Sequence, residues 1–163
     1  MMIVRAAVFC LLALGLSACG SKFKTYNGPA VTLVEVHKAE RKMYLIHGTK
    51  VLKTYDIALG FVPEGHKQFE GDGKTPEGVY RISHQNPNSE YHLSLGISYP
   101  NVDDLAFAEV AGKRPGGDIF IHGAPNGDPN RRDWTAGCIA VTDKEIERIY
   151  SMVKPGTLIN VVP

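Results

Sequence analysis

What this sequence lacks narrows it first. Three cysteines in 163 residues are too few for a disulfide scaffold. Net charge is almost absent, with 18 basic against 17 acidic side chains. That balance favours neither nucleic acid nor an anionic surface as the main partner. The histidines are scattered. His37, His47, His66, His84 and His92 make no pair at the i, i+4 spacing of a metal-binding helix, and none joins a cysteine pair. No metal site and no cofactor are therefore expected. Long apolar runs are missing too. Residues 6–16 form an uncharged run of eleven, whereas a spanning helix needs roughly 20.

That short run still carries information. Arg5 precedes it and Leu16-Ser17-Ala18-Cys19 closes it. A basic residue, a short apolar core and small residues at a cut site make a secretory signal. The closing four residues resemble a bacterial lipobox, in which small side chains admit the peptidase and the thiol accepts the lipid. The alternative is an ordinary cleavage site that happens to precede a cysteine. The expected organisation is a lipoprotein signal peptide over 1–18, a lipidated Cys19 with a polar tether over 19–30, and one domain over 31–163. Gly20 carries no acidic retention signal. By analogy with sorting in two-membrane bacteria, the expected address is the envelope, on the outer rather than the inner membrane. Removing Arg5 with the signal leaves 17 charges of each sign. The remaining chain is long enough for a real core.

The cysteines then sort themselves. Cys10 leaves with the signal and Cys19 takes the lipid. Cys138 becomes a lone thiol in an exported domain, where disulfides are otherwise favoured. Such a thiol is buried and inert, paired between chains, or catalytic.

From residue 31 the pattern is mostly strand. Residues 31–36 alternate, 43–46 and 51–59 follow, and the three suggest a meander. Residues 60–78 are rich in glycine and proline and read as a long loop. Strands are expected over 79–82, 92–99, 118–122, 138–141 and 158–162. A short helix is expected over 103–112, capped by Asp103 and stopped by Gly112. A second begins after Thr142, with Glu145 completing a capping box. Its apolar face is Ile146, Ile149, Tyr150 and Val153. The expected fold is mainly β: an antiparallel sandwich or closed sheet with one or two short helices.

Two local features carry chemistry: His122-Gly123 at a strand end, and Thr135-Ala136-Gly137-Cys138 before an apolar segment. A free thiol has a pKa of about 8.5 and is a poor nucleophile at neutral pH. An imidazole within hydrogen-bond reach can take its proton or pair with the thiolate, holding the thiol near neutrality. Gly137 permits close backbone approach, and N–H groups around Gly137 and Cys138 are candidate oxyanion donors. Asp72, Asp118, a backbone carbonyl or a Ser/Thr hydroxyl are the open choices for orienting His122. The glycine-rich 71–78 segment lacks the Gly-Lys-Ser/Thr ending of a phosphate cradle.

Residues 31–162 resemble the L,D-transpeptidase catalytic domain, also called YkuD. That family is marked by a His-Gly pair, a variable loop and a Ser/Thr-x-Gly-Cys element with an apolar residue after it. Here these read His122-Gly123 and Thr135-Ala136-Gly137-Cys138-Ile139. Thr75-Pro76-Glu77-Gly78-Val79-Tyr80 and Pro155-Gly156-Thr157 also resemble family elements. Many members carry histidine where this chain has Ala136, and arginine where it has Ala140.

The resemblance implies a cysteine acyltransferase acting on peptidoglycan stem peptides, with Cys138 as nucleophile and His122 as general base and acid. An amine from a neighbouring stem, or from a wall-attached protein, would resolve the thioester. A hydrolase using water at the same site is the alternative, and a non-catalytic wall-binding lipoprotein is the rival of another class. Thr135, Trp134, Arg131 and Arg132 are the expected substrate contacts, the arginines by gripping a carboxylate bidentately. For Trp134 the other reading is an anchor of its loop to the core. For the arginines it is two solvated charges.

Overall fold

In the computed structural model, residues 21–124 and 132–163 are described. The expected signal peptide, Cys19 and Arg131 lie outside them. The strands are β1 (Leu33–His37), β2 (Lys42–His47), β3 (Lys50–Asp56), β4 (Gly78–Asn86), β5 (Ser94–Ile97), β6 (Phe120–His122), β7 (Ile139–Ala140) and β8 (Leu158–Val162). The helices are α1 (Val102–Val110) and α2 (Asp143–Met152). Neither is long and apolar enough to cross a membrane.

Eight strands form one sheet in the order β3-β2-β1-β8-β4-β5-β6-β7. The sheet curls until its two ends meet. Beyond β3, Ala58 exchanges two 2.9 Å backbone hydrogen bonds with Ala140 of β7. The closed-sheet expectation therefore holds, with one correction. The sheet is mixed, because β1 pairs in parallel with β8 and β6 with β7. A parallel pair needs a long crossover between its strands. For β6 and β7 that crossover is the segment leading to Cys138.

Alternation drives the curl. In β1, Val34 and Val36 are buried between half-exposed neighbours. Met43 and Leu45 of β2, Ile159 and Val161 of β8, Tyr80 and Ile82 of β4, and Leu95 of β5 fill the same interior. Burying such a side chain stabilises the fold by about 1.5–3 kcal/mol. Helix α2 closes the core over β5 and β6 with Ile146, Ile149 and Met152. Thr142 caps it in a full capping box with Glu145, as its sequence foretells. Tyr150 and Val153 also pack there.

Helix α1 differs from expectation at its start. Asn101, not Asp103, is the N-cap, accepting from the Asp103 and Asp104 N–H groups. Both residue types cap well, so the sequence did not choose between them. Residues 21–30, read as a tether, lie against the domain. Lys22 Nζ donates to the carbonyls of Pro87 and His92, and Lys24 pairs with Glu147 at 3.1 Å.

Candidate active site

The parallel β6–β7 register builds the site. Ile121 pairs with Ile139 and His122 with Ala140. Side chains alternate across a sheet. Ile121 and Ile139 therefore point into the core, while His122 and Ala140 share the other face. Cys138, two residues before Ala140, returns to that face one pleat repeat from His122. His122 and Cys138 line a single cleft of about 310 Å³, with Tyr91, Asp118 and Glu90 on its walls.

The orienting partner of His122 is the carbonyl of Gly123, which accepts from Nδ1 at 2.6 Å. A carbonyl can only accept, so Nδ1 carries the proton and Nε2 is left as a bare acceptor. Asp72 is not involved. It accepts from Lys67 Nζ and from the N–H groups of Gln68, Phe69 and Lys74, and so shapes its own loop. Asp118 contributes its backbone instead: its carbonyl accepts from the Cys138 thiol at 3.5 Å.

Gly123 is buried for a packing reason. A Cβ there would run into Asp143 Oδ1 and stand 2.8 Å from the Tyr91 carbonyl. Its N–H donates to Tyr91 and Leu93. The His-Gly pair is thus clamped between the N-terminus of α2 and the β4–β5 connection.

The Thr135–Cys138 element is held from three sides. Thr135 Oγ1 accepts from the Gly137 N–H at 3.1 Å and donates to the Cys138 carbonyl at 2.7 Å. The Thr135 backbone bonds to Leu59 and Phe61 beyond β3. Asp133 accepts from Arg41 Nε and Nη2 and from the Leu59 N–H. Gly137 has φ +136, and a Cβ on it would stand 2.6 Å from the Lys74 carbonyl. Only glycine suits that conformation and that approach.

Several expectations change in detail. Thr135 is buried with its hydroxyl turned into the loop, where it braces the Gly137–Cys138 backbone. The Gly137 N–H is committed to that hydroxyl. Arg132 is exposed, and its charge helps hold the neighbouring Asp133 carboxyl below its ordinary value. Trp134 packs edge-on to His122 at 5.8 Å between ring centroids. Sequence reasoning missed Tyr91, whose ring lies 4.4 Å from that of His122 and 6.0 Å from Trp134. It also missed the Arg41–Asp133 anchor. No local pattern marks either one.

Electrostatics run against a preformed ion pair. Burial pushes the Cys138 thiol above its ordinary value, aided by the nearby Asp118 charge and opposed by a Phe120 backbone hydrogen bond and by Lys67. Burial likewise lowers His122, against the raising effect of the Gly123 carbonyl. Both groups therefore rest neutral, and the expected depression of the thiol is not found. A thiol and a bare Nε2 sharing one cleft are equipped for proton transfer during attack. Among the described residues, no three His, Cys, Asp or Glu side chains are grouped to hold a metal ion.

Comparison with known proteins places the domain in a family. Residues 31–161 match the model of the L,D-transpeptidase catalytic domain, YkuD. The Escherichia coli K12 protein named "Putative L,D-transpeptidase YafK" is 31% identical over 127 residues, 74% of this chain and 46% of that protein. The Campylobacter jejuni helical cell shape determining protein Pgp2 superposes with a TM-score of 0.64 at 28% identity, covering 83% of this chain and 49% of Pgp2. An L,D-transpeptidase from Mycobacterium smegmatis shares the fold, with a TM-score of 0.57 at 15% identity, covering 82% of this chain and 59% of that one. The chain thus spans about half the length of the first two relatives. It belongs to the L,D-transpeptidase catalytic domain family.

Proposed function

We propose that this protein is an envelope acyltransferase working through a thioester on Cys138. One observation carries the reading. His122, fixed by Gly123 with Nε2 unprotonated, shares a cleft with the thiol. The donor is a peptidoglycan stem peptide. As Cys138 Sγ attacks the carbonyl of its third, L-centre residue, the thiol proton passes to His122 Nε2. The tetrahedral oxyanion is held by the Cys138 N–H, since the Gly137 N–H is occupied by Thr135. Collapse expels the terminal D-amino acid, whose amine takes the proton back from His122. An amine from a neighbouring stem or a wall-attached protein then attacks the thioester. Tyr91 and Trp134 both lie against the imidazole and favour its transient cation. Lipid on Cys19 would hold the enzyme at the envelope membrane, the outer one in a two-membrane cell, facing its substrate.

The test is product analysis by mass spectrometry with defined tetrapeptide muropeptides, with and without an added amine. The reading expects a new amide to the amine, lost on Cys138→Ala with the fold intact. Full turnover by that variant would overturn it. A tripeptide product that is indifferent to the amine would instead identify a hydrolase at the same site. Cys19→Ala is expected to move the protein from the membrane to the soluble fraction.

A further inference from the structure

The acyl acceptor has no recognition element in the mechanism above. Asp118 is placed to supply one. It sits just before β6 in a left-handed conformation, φ +54, which aspartate tolerates better than most side chains. Its carbonyl holds the Cys138 thiol at 3.5 Å, so the residue is fixed beside the nucleophile. Asp118 lines the same cleft as Cys138 and His122, and its charge acts on the Cys138 thiol. That carboxylate is exposed and has no hydrogen bond or ion pair among the described residues. Among the described residues that line the cleft, the other acidic one is Glu90 and none is a lysine or arginine.

A free carboxylate here is a cost in the first half of the reaction. A negative charge beside a thiol opposes formation of the thiolate, and Asp118 acts on Cys138 in that direction. The cost has a use in the second half. Once the thioester forms, the sulfur no longer carries charge and the carboxylate faces an uncharged acyl group. The incoming amine is then a cation at neutral pH and is drawn to that carboxylate.

We infer that Asp118 is the acceptor-selecting residue of this site, holding the ammonium of the incoming amine beside the Cys138 thioester. The inference rests on the acyltransferase reading above. In the step it serves, the bound ammonium first releases one proton to solvent. The freed lone pair forms the C–N bond. A second nitrogen proton passes to His122 Nε2. The C–S bond breaks with its electron pair going to Sγ, and the thiolate recovers the proton from His122.

Asp118→Asn keeps the shape and the tolerance for left-handed backbone while removing the charge. Two measurements on the full-length protein test it. The first is the reaction of Cys138 with a cationic and an anionic methanethiosulfonate of similar size. Exposed charge pairs are worth a few-fold each, and both reagents feel the change. The cation-to-anion rate ratio is expected to fall about tenfold in the variant, and an unchanged ratio overturns the inference. The second is the partition of the thioester between a cationic amine and water. It is expected to shift about fivefold toward water. An unchanged partition also overturns the inference. If the reagent ratio falls but neither protein acylates on stem peptides, the functional reading fails while the cation preference of Asp118 stands. Loss of both reagents' reaction would mean a disrupted site. The conservative Asp118→Glu, which retains the charge, then decides: recovery of the ratio supports the inference and failure to recover it counts against it.

Discussion

His122 donates its Nδ1 proton to the carbonyl of Gly123, its neighbour in the chain, at 2.6 Å. The imidazole is thus oriented by backbone, and the position of that backbone depends on Gly123 having no side chain. A Cβ would collide with Asp143 Oδ1 and press on Tyr91 and Ile146. Gly123→Ala is expected to lower stability by about 1–3 kcal/mol, the usual range for overpacking a tight interior. Activity should fall further than stability, since the imidazole moves with the carbonyl. Thermal melts alongside acyl-transfer rates check both.

The two neutral groups of the site predict a particular pH response. Burial lifts the thiol. Alkylation of Cys138 in the free protein should therefore rise through a midpoint above the ordinary thiol value of about 8.5, with no plateau near neutrality. His122 is lowered by burial. Its contribution to stability is full above the ordinary histidine value of about 6.5 and is lost as the pH falls toward the lowered one. His122→Gln should flatten that part of the stability profile. A rate profile by iodoacetamide and a stability profile by denaturant titration test the two limbs.

Thr135 joins the Gly137 N–H to the Cys138 carbonyl. Thr135→Val keeps the shape and leaves both backbone groups without this partner. A loss of about 1–3 kcal/mol follows from stranding buried polar groups. Turnover should drop on the order of 10²-fold, the scale of a small misplacement at a reacting centre. Thr135→Ser should restore most of both, and a valine variant with normal turnover would remove Thr135 from the account.

Arg41 and Asp133 tie the nucleophile element to the β1–β2 connection across 92 residues of sequence. Burial works to raise the Asp133 carboxyl, but Arg41 and the Leu59 N–H hold it below its ordinary value. Its contribution is thus full above an ordinary carboxylate pKa and is lost as the pH falls through the lowered one. Both side chains are partly exposed, at 21% and 15%, which limits the pair to about 1–2 kcal/mol. A double-mutant cycle with Arg41→Met and Asp133→Asn should show coupling of that size.

Local pattern made much of this legible. The α2 capping box, the β8 strand and the alternation in β1 are written in neighbouring residues, and each stands where its pattern put it. The His-Gly and Thr-x-Gly-Cys elements picked out His122 and Cys138, two side chains that line one cleft. Partnerships between distant segments were not legible. Arg41 reads as an ordinary turn cation until Asp133 folds against it. Tyr91 reads as a loop aromatic until β5 and β6 pair and bring it over His122. Asn101 and Asp103 are equivalent caps until the entry of α1 fixes which one turns inward. The parallel pairing of β6 with β7 sets His122 and Cys138 on one face, and a strand pattern carries no sign of its pairing direction.

The most direct test of the central claim is intact-protein mass spectrometry during turnover of a defined tetrapeptide stem. The account predicts a transient mass increase equal to the tripeptide acyl group. That adduct should map to Cys138, discharge on addition of an amine, and be absent from Cys138→Ala. Turnover at full rate with no adduct, or an adduct that persists in Cys138→Ala, would contradict it.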